Sequence, residues 1–145
     1  VKQKFEIIEH PADVGFRAYG ATLEELFVHA AEALLALACE PEGIEEREQR
    51  TVYASGRDLE SLLFAWLAEI LAAGDAEKMF FRRAEVKELQ PPDGNRGGEV
   101  RGVVYGERFD RSRHHPGTYI KAVTYHQLRV ERTADGWRAT VYLDV

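Results

Sequence analysis

The stretch DLESLLFAWLAEILAAG, residues 58–74, constrains the fold more than any other part of the chain. Leu59, Leu62, Leu63, Trp66, Leu67, Ile70 and Leu71 recur at i, i+3, i+4 and i+7. At 3.6 residues per turn that spacing gathers them into one apolar stripe, so the stretch is a helix that must be covered by something else. Asp58 stands where its carboxylate caps the first turn, and Gly74 is expected to end the helix.

What covers it is read from the rest of the chain. Thr22, with Glu25 three residues on, opens a second helix through a capping box. Its apolar positions are Leu23, Leu26, Phe27, Ala30, Ala31, Leu34 and Ala38, and Glu24, Glu25, His29 and Glu32 fall toward the opposite, solvent-facing side. The remaining periodic segments alternate as strands do: KFEIIEH, VGFRAYG, RTVYASG, MFFRRAEVKEL, EVRGVVYGERFD, YIKAVTYHQLRVER and WRATVYLDV. PADVG reads as a turn or bulged entry, EPEGIEEREQR as an acidic, solvated connection, QPPDGNRGG as a hairpin end and TADG as a tight hairpin. The pattern predicts an α+β fold, two amphipathic helices packed on a mixed, mostly antiparallel β-sheet, in a single domain spanning residues 1–145.

At 145 residues a domain buries roughly 70% of its unfolded surface and needs no staple. Cys39 is the only cysteine. That excludes an internal disulfide and a cysteine-based zinc site, and its small apolar neighbours suggest a buried hydrophobe. No basic run followed by an apolar stretch opens the chain, and no segment approaches the length of a membrane span, so a cytoplasmic protein without membrane contact is expected. The net charge of −6 argues against a surface that grips nucleic acid unaided.

Common catalytic signatures are absent: no GxSxG, no phosphate loop, no HExxH, no dinucleotide fingerprint. Two acidic strand ends remain. Asp13 lies in EHPADVG beside Glu9 and His10, and Asp144 is the penultimate residue. If the last strand pairs beside the first hairpin, the two aspartates converge, and carboxylates with main-chain oxygens suit Ca²⁺ or Mg²⁺. The plainer alternative, two acids capping strand ends in water, is the stronger from these residues alone. In IKAVTYH, alternation puts Lys121, Val123 and Tyr125 on one face and Ile120, Ala122, Thr124 and His126 on the other. Because Leu128 and Val130 share parity with His126, the His126 face is expected in the core and Lys121 outside. His114 and His115 form an exposed pair in the loop before it, a weaker metal candidate.

The motifs EHPADVGFRAYGATLEELFVHAA, GRDLESLLFAWLAEIL, GERFDRSRHHPGTYIKAVTYHQLRVE and GWRATVYLDV, in that order, resemble the archease family along nearly the whole chain. HPADVG, IKAVTYH and the terminal DV are the most specific, with Pro11 where the family usually has threonine. The resemblance implies a protein cofactor of RtcB-type RNA ligases, which join tRNA halves. The cofactor would promote guanylylation of the ligase and its repeated turnover and would not itself be an enzyme. It implies a metal site on Asp13, Asp144 and the main-chain oxygen of Val145, with calcium seen in crystals. His10, Lys121 and His126 stand around that site as support or partner contacts. RNA is then met only through the ligase. Two alternatives stand beside this: a chaperone-like modulator of a tRNA cytosine-5 methyltransferase, and a metal-dependent hydrolase using His126 or Lys121.

Overall fold

The computed structural model describes residues 3–10 and 13–145, the side chains of Glu9, His10 and Asp13 excepted. The chain runs β1 (Phe5–His10), β2 (Asp13–Gly20), α1 (Leu23–Ala38), a 3₁₀ turn (Pro41–Gly43), β3 (Glu48–Gly56), α2 (Leu59–Glu77), β4 (Met79–Gln90), β5 (Gly98–Arg108), β6 (Ala122–Val123), β7 (Arg129–Thr133) and β8 (Gly136–Asp144). The α+β class holds. The strands divide into two sheets, β1-β2-β8-β6 with β7 also on β8, and β3-β5-β4. Every pairing among the described residues is antiparallel. No described helix is long and apolar enough to cross a membrane.

The two helices explain why there are two sheets. In α2, Asp58 accepts from the Ser61 N–H at 2.8 Å and the Ser61 hydroxyl accepts from the Asp58 N–H at 3.1 Å, closing a capping box. Leu62, Leu63, Trp66, Leu67 and Ile70 are buried. Trp66 is 0% exposed, and its indole N–H donates to the Phe27 carbonyl of α1 at 3.0 Å, so the largest core side chain also ties the helices together. Beneath it, Gly102 of β5 leaves room for the ring: a Cβ there would meet the indole at 2.6 Å. In α1 the Thr22 hydroxyl accepts from Glu25 N–H as expected, but the Glu25 carboxylate reaches back to the Ala21 N–H rather than to Thr22 itself, so the box closes one residue early. Its buried arc is wide, because α1 packs on β2 of one sheet and β4 of the other.

Three expectations change here. His29 is half-buried, its Nδ1 donating to the Tyr19 carbonyl. A helix with sheets on two sides keeps a narrower polar face than its periodicity suggests. The α2 helix passes Gly74 and runs to Glu77, ending on Lys78 in the left-handed region (φ 54°), whose N–H donates to the Gly74 carbonyl. Gly74 serves packing, since a Cβ there would sit 3.1 Å from the Met79 carbonyl on β4. The acidic connection is shorter than expected, with Glu48 and Gln49 already in β3 and Ile44 buried as an anchor. The remaining hairpins agree: β4–β5 turns through Asp93 and Arg96, and β7–β8 through Ala134–Asp135, with Thr133 opposite Gly136. Of the PADVG stretch expected as a turn or bulged entry, Asp13, Val14 and Gly15 already belong to β2, and Pro11 and Ala12 lie outside the described residues. Cys39 is buried, and burial pushes its thiol pKa up.

The loop after β5 is held by a buried carboxylate. Glu107, 2% exposed, accepts from both Arg113 terminal nitrogens (2.9 and 2.8 Å), from His114 Nε2 (2.9 Å) and from Glu45 N–H (2.6 Å). Arg47 approaches to 3.2 Å. His114 Nδ1 accepts from the Asp110 N–H at 2.8 Å, which assigns the ring proton to Nε2 and makes it a donor to Glu107. The Arg113 guanidinium, helped by Glu45 N–H and His114, holds the Glu107 carboxyl far below the usual range against the opposing effect of burial.

Two outcomes follow for stability. A left-handed backbone costs a residue with a Cβ more than glycine. Lys78→Gly should therefore raise the unfolding free energy by up to about 1 kcal/mol, seen as a higher urea midpoint. Because the folded Glu107 carboxyl is depressed, its contribution is complete above about pH 4.3 and is lost as pH falls toward the folded value. Glu107→Gln should cost about 3 kcal/mol at pH 7, by analogy with breaking a buried ion pair. The same variant should flatten the loss of stability below about pH 4; urea unfolding at pH 7 and pH 3 checks both.

Candidate functional site

The site is defined by one end of the five-stranded sheet. There β2 lies between β1 and β8, with His10 opposite Asp13, Val14 opposite Leu143 and Asp144 opposite Ala122. Carrying the β2–β8 register one residue beyond Val14 and Leu143 sets the backbone of Asp13 opposite that of Asp144. The Lys121 N–H donates to the Asp144 carbonyl at 2.8 Å. Four separate segments thus align His10, Asp13, Asp144 and Ala122 in one row of backbone positions, with Lys121 one residue before Ala122. The side chains of His10 and Asp13 lie outside the described residues. Asp144 and Lys121 are exposed, and so is Val145.

The strand expected over YIKAVTYHQLRVER is broken. Ala122 and Val123 pair with Asp144 and Leu143, then pairing resumes at Arg129 opposite Thr140. Five residues, 124–128, therefore face two on β8, Val141 and Tyr142. The excess is odd, so side-chain parity flips across the break. Val123 and Val130 both point inward, and His126, expected in the core, is exposed. The break is a turn closed by Leu128 N–H to the Tyr125 carbonyl at 3.2 Å, with Gln127 left-handed at φ 52°.

The break sorts the polar residues of this stretch. Thr124 donates through both its N–H and its hydroxyl to the Tyr142 carbonyl (3.2 and 3.0 Å) and pins the turn to β8. Tyr125 stacks on Phe64 of α2, with centroids 3.9 Å apart and planes 8° from parallel. Both have structural work. Lys121 and His126 face outward, and the His126 ring meets Tyr142 edge-on at 5.9 Å. Sequence reading passed over Tyr142 and gave Gly15 to a turn or bulged entry, whereas Gly15 lies inside β2. Gly15 stands opposite Tyr142, and a Cβ there would lie 2.8 Å from the ring. A glycine inside a strand facing an aromatic is the available signal.

His114 and His115 do not form a metal pair. His114 is 3% exposed and committed to Glu107 and Asp110, whereas His115 is exposed. Sequence separation gave no hint that Glu107 would claim one of them. Among the described residues no group of three or more His, Cys, Asp or Glu is arranged to hold a metal. The donor types at the sheet end, a carboxylate on Asp144 with main-chain oxygens beside it, suit a hard cation that prefers oxygen.

Beyond Tyr142 the outer face of the sheet forms an open groove of about 620 Å³, lined among others by Arg17, Gln127, Arg129, Arg138 and Thr140. Glu6, Arg17, Thr140 and Arg129 occupy one straight cross-strand row, and Tyr19, Arg138 and Glu131 the next outward-facing one.

A family model for the archease protein family matches residues 5–145. The archease of Methanopyrus kandleri is 42% identical over 141 residues, covering 97% of this chain and 99% of that protein. The Pyrococcus furiosus archease is 40% identical over 144 residues, 99% of each. The solution structure of Methanobacterium thermoautotrophicum protein 1598 matches with a TM-score of 0.81 at 32% identity, covering 98% of this chain and 99% of that one. An archease from Thermotoga maritima, described as a possible chaperone, matches with a TM-score of 0.60 at 26% identity, covering 95% and 94%. With the sequence agreeing over nearly its whole length and the fold agreeing with it, the chain belongs to the archease family.

Proposed function

We propose that this chain is a non-enzymatic activator of an RtcB-type RNA ligase, promoting guanylylation of the ligase and its repeated turnover. The observation that carries the reading is the convergence of the Asp13, Asp144 and Lys121 backbone positions at one sheet end, in a family member matched from residue 5 to 145. Asp13, Asp144 and the main-chain oxygen of Val145 would hold a divalent cation, Ca²⁺ or Mg²⁺, since all are hard oxygen donors. Bound there, the ion would supply concentrated positive charge at a surface a partner can reach. Lys121, whose N–H donates to the Asp144 carbonyl, would bring a second positive charge, and His126 on Tyr142 forms the neighbouring wall; with His10 they are partner contacts. Activation requires only that this surface bind the guanylylation-competent state of the ligase more tightly than the other.

A chaperone-like role toward a tRNA cytosine-5 methyltransferase is the second reading. The description of the Thermotoga maritima relative favours it, as do the exposed rings of Tyr119 and Tyr125. A metal-dependent hydrolase would use the same aspartates and show turnover without any partner.

The deciding experiment is a guanylylation and multiple-turnover ligation assay with the cognate ligase, this protein being substoichiometric. Wild type should stimulate both. Asp13→Ala and Asp144→Ala should each lower stimulation at least tenfold while circular dichroism stays native. Unchanged stimulation by both variants would sink the metal assignment, and phosphoester turnover by the protein alone would replace the activator with the enzyme. Chelator treatment of wild type should mimic the aspartate variants, with recovery on adding Ca²⁺ or Mg²⁺.

A further inference from the structure

The arginine groove on the outer face of the five-stranded sheet has no part in the reading above. Arg17 on β2 and Arg129 on β7 flank Thr140 of β8 in one row. Their backbones are therefore two strand spacings apart, about 10 Å. Arg138 lies two residues along β8 on the same face. These guanidiniums are lightly held. Arg17 reaches Glu6 through one nitrogen at 3.4 Å, and Arg129, 70% exposed, reaches Glu131 only at 3.7 Å. Arg138 takes Glu131 at 3.1 Å. Three arginines against two carboxylates make this face locally positive in a chain whose net charge is −6.

The lining decides the kind of partner. No large exposed hydrophobic residue lies in the groove, whose members are charged or carry hydroxyl or amide groups. A protein partner needs an apolar centre to its contact. Forked guanidiniums with hydroxyl and amide donors around them are the set that binds phosphate oxygens. The groove also continues into the proposed site, because Tyr142 belongs to its lining and carries His126 on its ring. The left-handed turn at Gln127 forms the rim between the two.

We propose that this groove binds the phosphodiester backbone of single-stranded RNA. The assignment rests on the ligase-activator reading for the choice of RNA, and it goes beyond that reading in giving the chain a direct RNA contact. Arg17, Arg129 and Arg138 exchange their surface carboxylates for phosphates, with Thr140 and Gln127 as neutral donors. A single excess positive charge makes the binding weak and strongly salt-dependent, so it guides an RNA end already held by a partner.

The test is fluorescence anisotropy of a labelled single-stranded oligouridylate with the full chain alone, from about 20 to 200 mM salt. Wild type should bind at low salt and release as salt rises. The triple variant Arg17→Ala, Arg129→Ala, Arg138→Ala should bind at least tenfold more weakly. Its log–log salt slope should be smaller by about 2, as loss of three single-strand phosphate contacts requires. The control Arg57→Ala, Arg96→Ala, Arg101→Ala makes the same change in charge at exposed positions elsewhere and should bind as wild type does. Absence of low-salt binding, equal loss in both triple variants, or preference for a polyglutamate peptide over RNA overturns the proposal. Guanylylation of the ligase is assayed without RNA, so failure of the activator reading appears there and failure of the groove appears here.

Discussion

The pairing of β2 with β8 is the contact on which the rest depends. It joins residues 14–20 to residues 137–143, nearly the full length of the chain apart. β8 then serves as the hub of its sheet, pairing with β2 on one side and with β6 and β7 on the other. The inward residues along this seam, Phe16, Ala18, Ala139 and Val141, are fully buried. Closing so long a loop costs entropy before any contact is returned, so the seam needs the burial that α1 provides against it. The same seam fixes the register that brings Asp13 and Asp144 to one sheet end and aligns Arg17 with Arg129 across Thr140. A one-residue slip would turn the outward side chains of the shifted strand, Arg17 on β2 or Thr140 and Arg138 on β8, to the opposite face.

The helices make that seam possible by being apolar over more than one side. α1 reaches β2 in one sheet and β4 in the other, and α2 reaches β3 in one and β6 and β7 in the other. Small residues Ala30, Ala31 and Ala33 let α1 come close, while Trp66 fills the space over Gly102. Tyr125 stacks on Phe64 of α2, so the turn that positions His126 rests on the same helix as the core. Core packing and site geometry are thus coupled through α2.

What could be read from sequence was what local chemistry decides. The α2 stripe, both helix N-caps and the two hairpin turns depend on residues within a few positions of one another. The errors arise where a distant group intervenes. Gly74 has the look of a helix end, but its reason is the Met79 carbonyl. His114 has the look of a surface ligand until Glu107, seven residues earlier, is folded against it. The parity argument for His126 assumed one uninterrupted strand. The break depends on Thr124 bonding to the Tyr142 carbonyl on a strand not yet placed. The aspartate pair was conditional in the same way, since it required β8 to lie beside β2, and the backbone meets that condition. The arginines of the outer face, at 17, 129 and 138, carry no motif at all and become neighbours only through register.

The net charge misleads because it averages over faces that do different things. Acidic residues on α2, on β4 and in the connection before β3 are absorbed in local pairs, such as Glu77 with Arg50 and Glu46 and Glu85 with Arg83. The depressed pKa values of Glu46 and Glu77 express that pairing, and Glu85 is held low first by the Tyr105 hydroxyl, then by Lys87 and Arg83. Such pairs cancel at short range and leave little field beyond a Debye length of about 8 Å in physiological salt. What a partner meets is the local sign. At the sheet end β8 carries the exposed carboxylate of Asp144, and six residues back along the same strand it carries Arg138. On the two proposals above, opposite signs along β8 would let one rigid strand hold a cation and face an anion at a fixed spacing. A flexible loop carrying the same residues would have to be ordered on binding, at a cost of about 1 kcal/mol or more per residue.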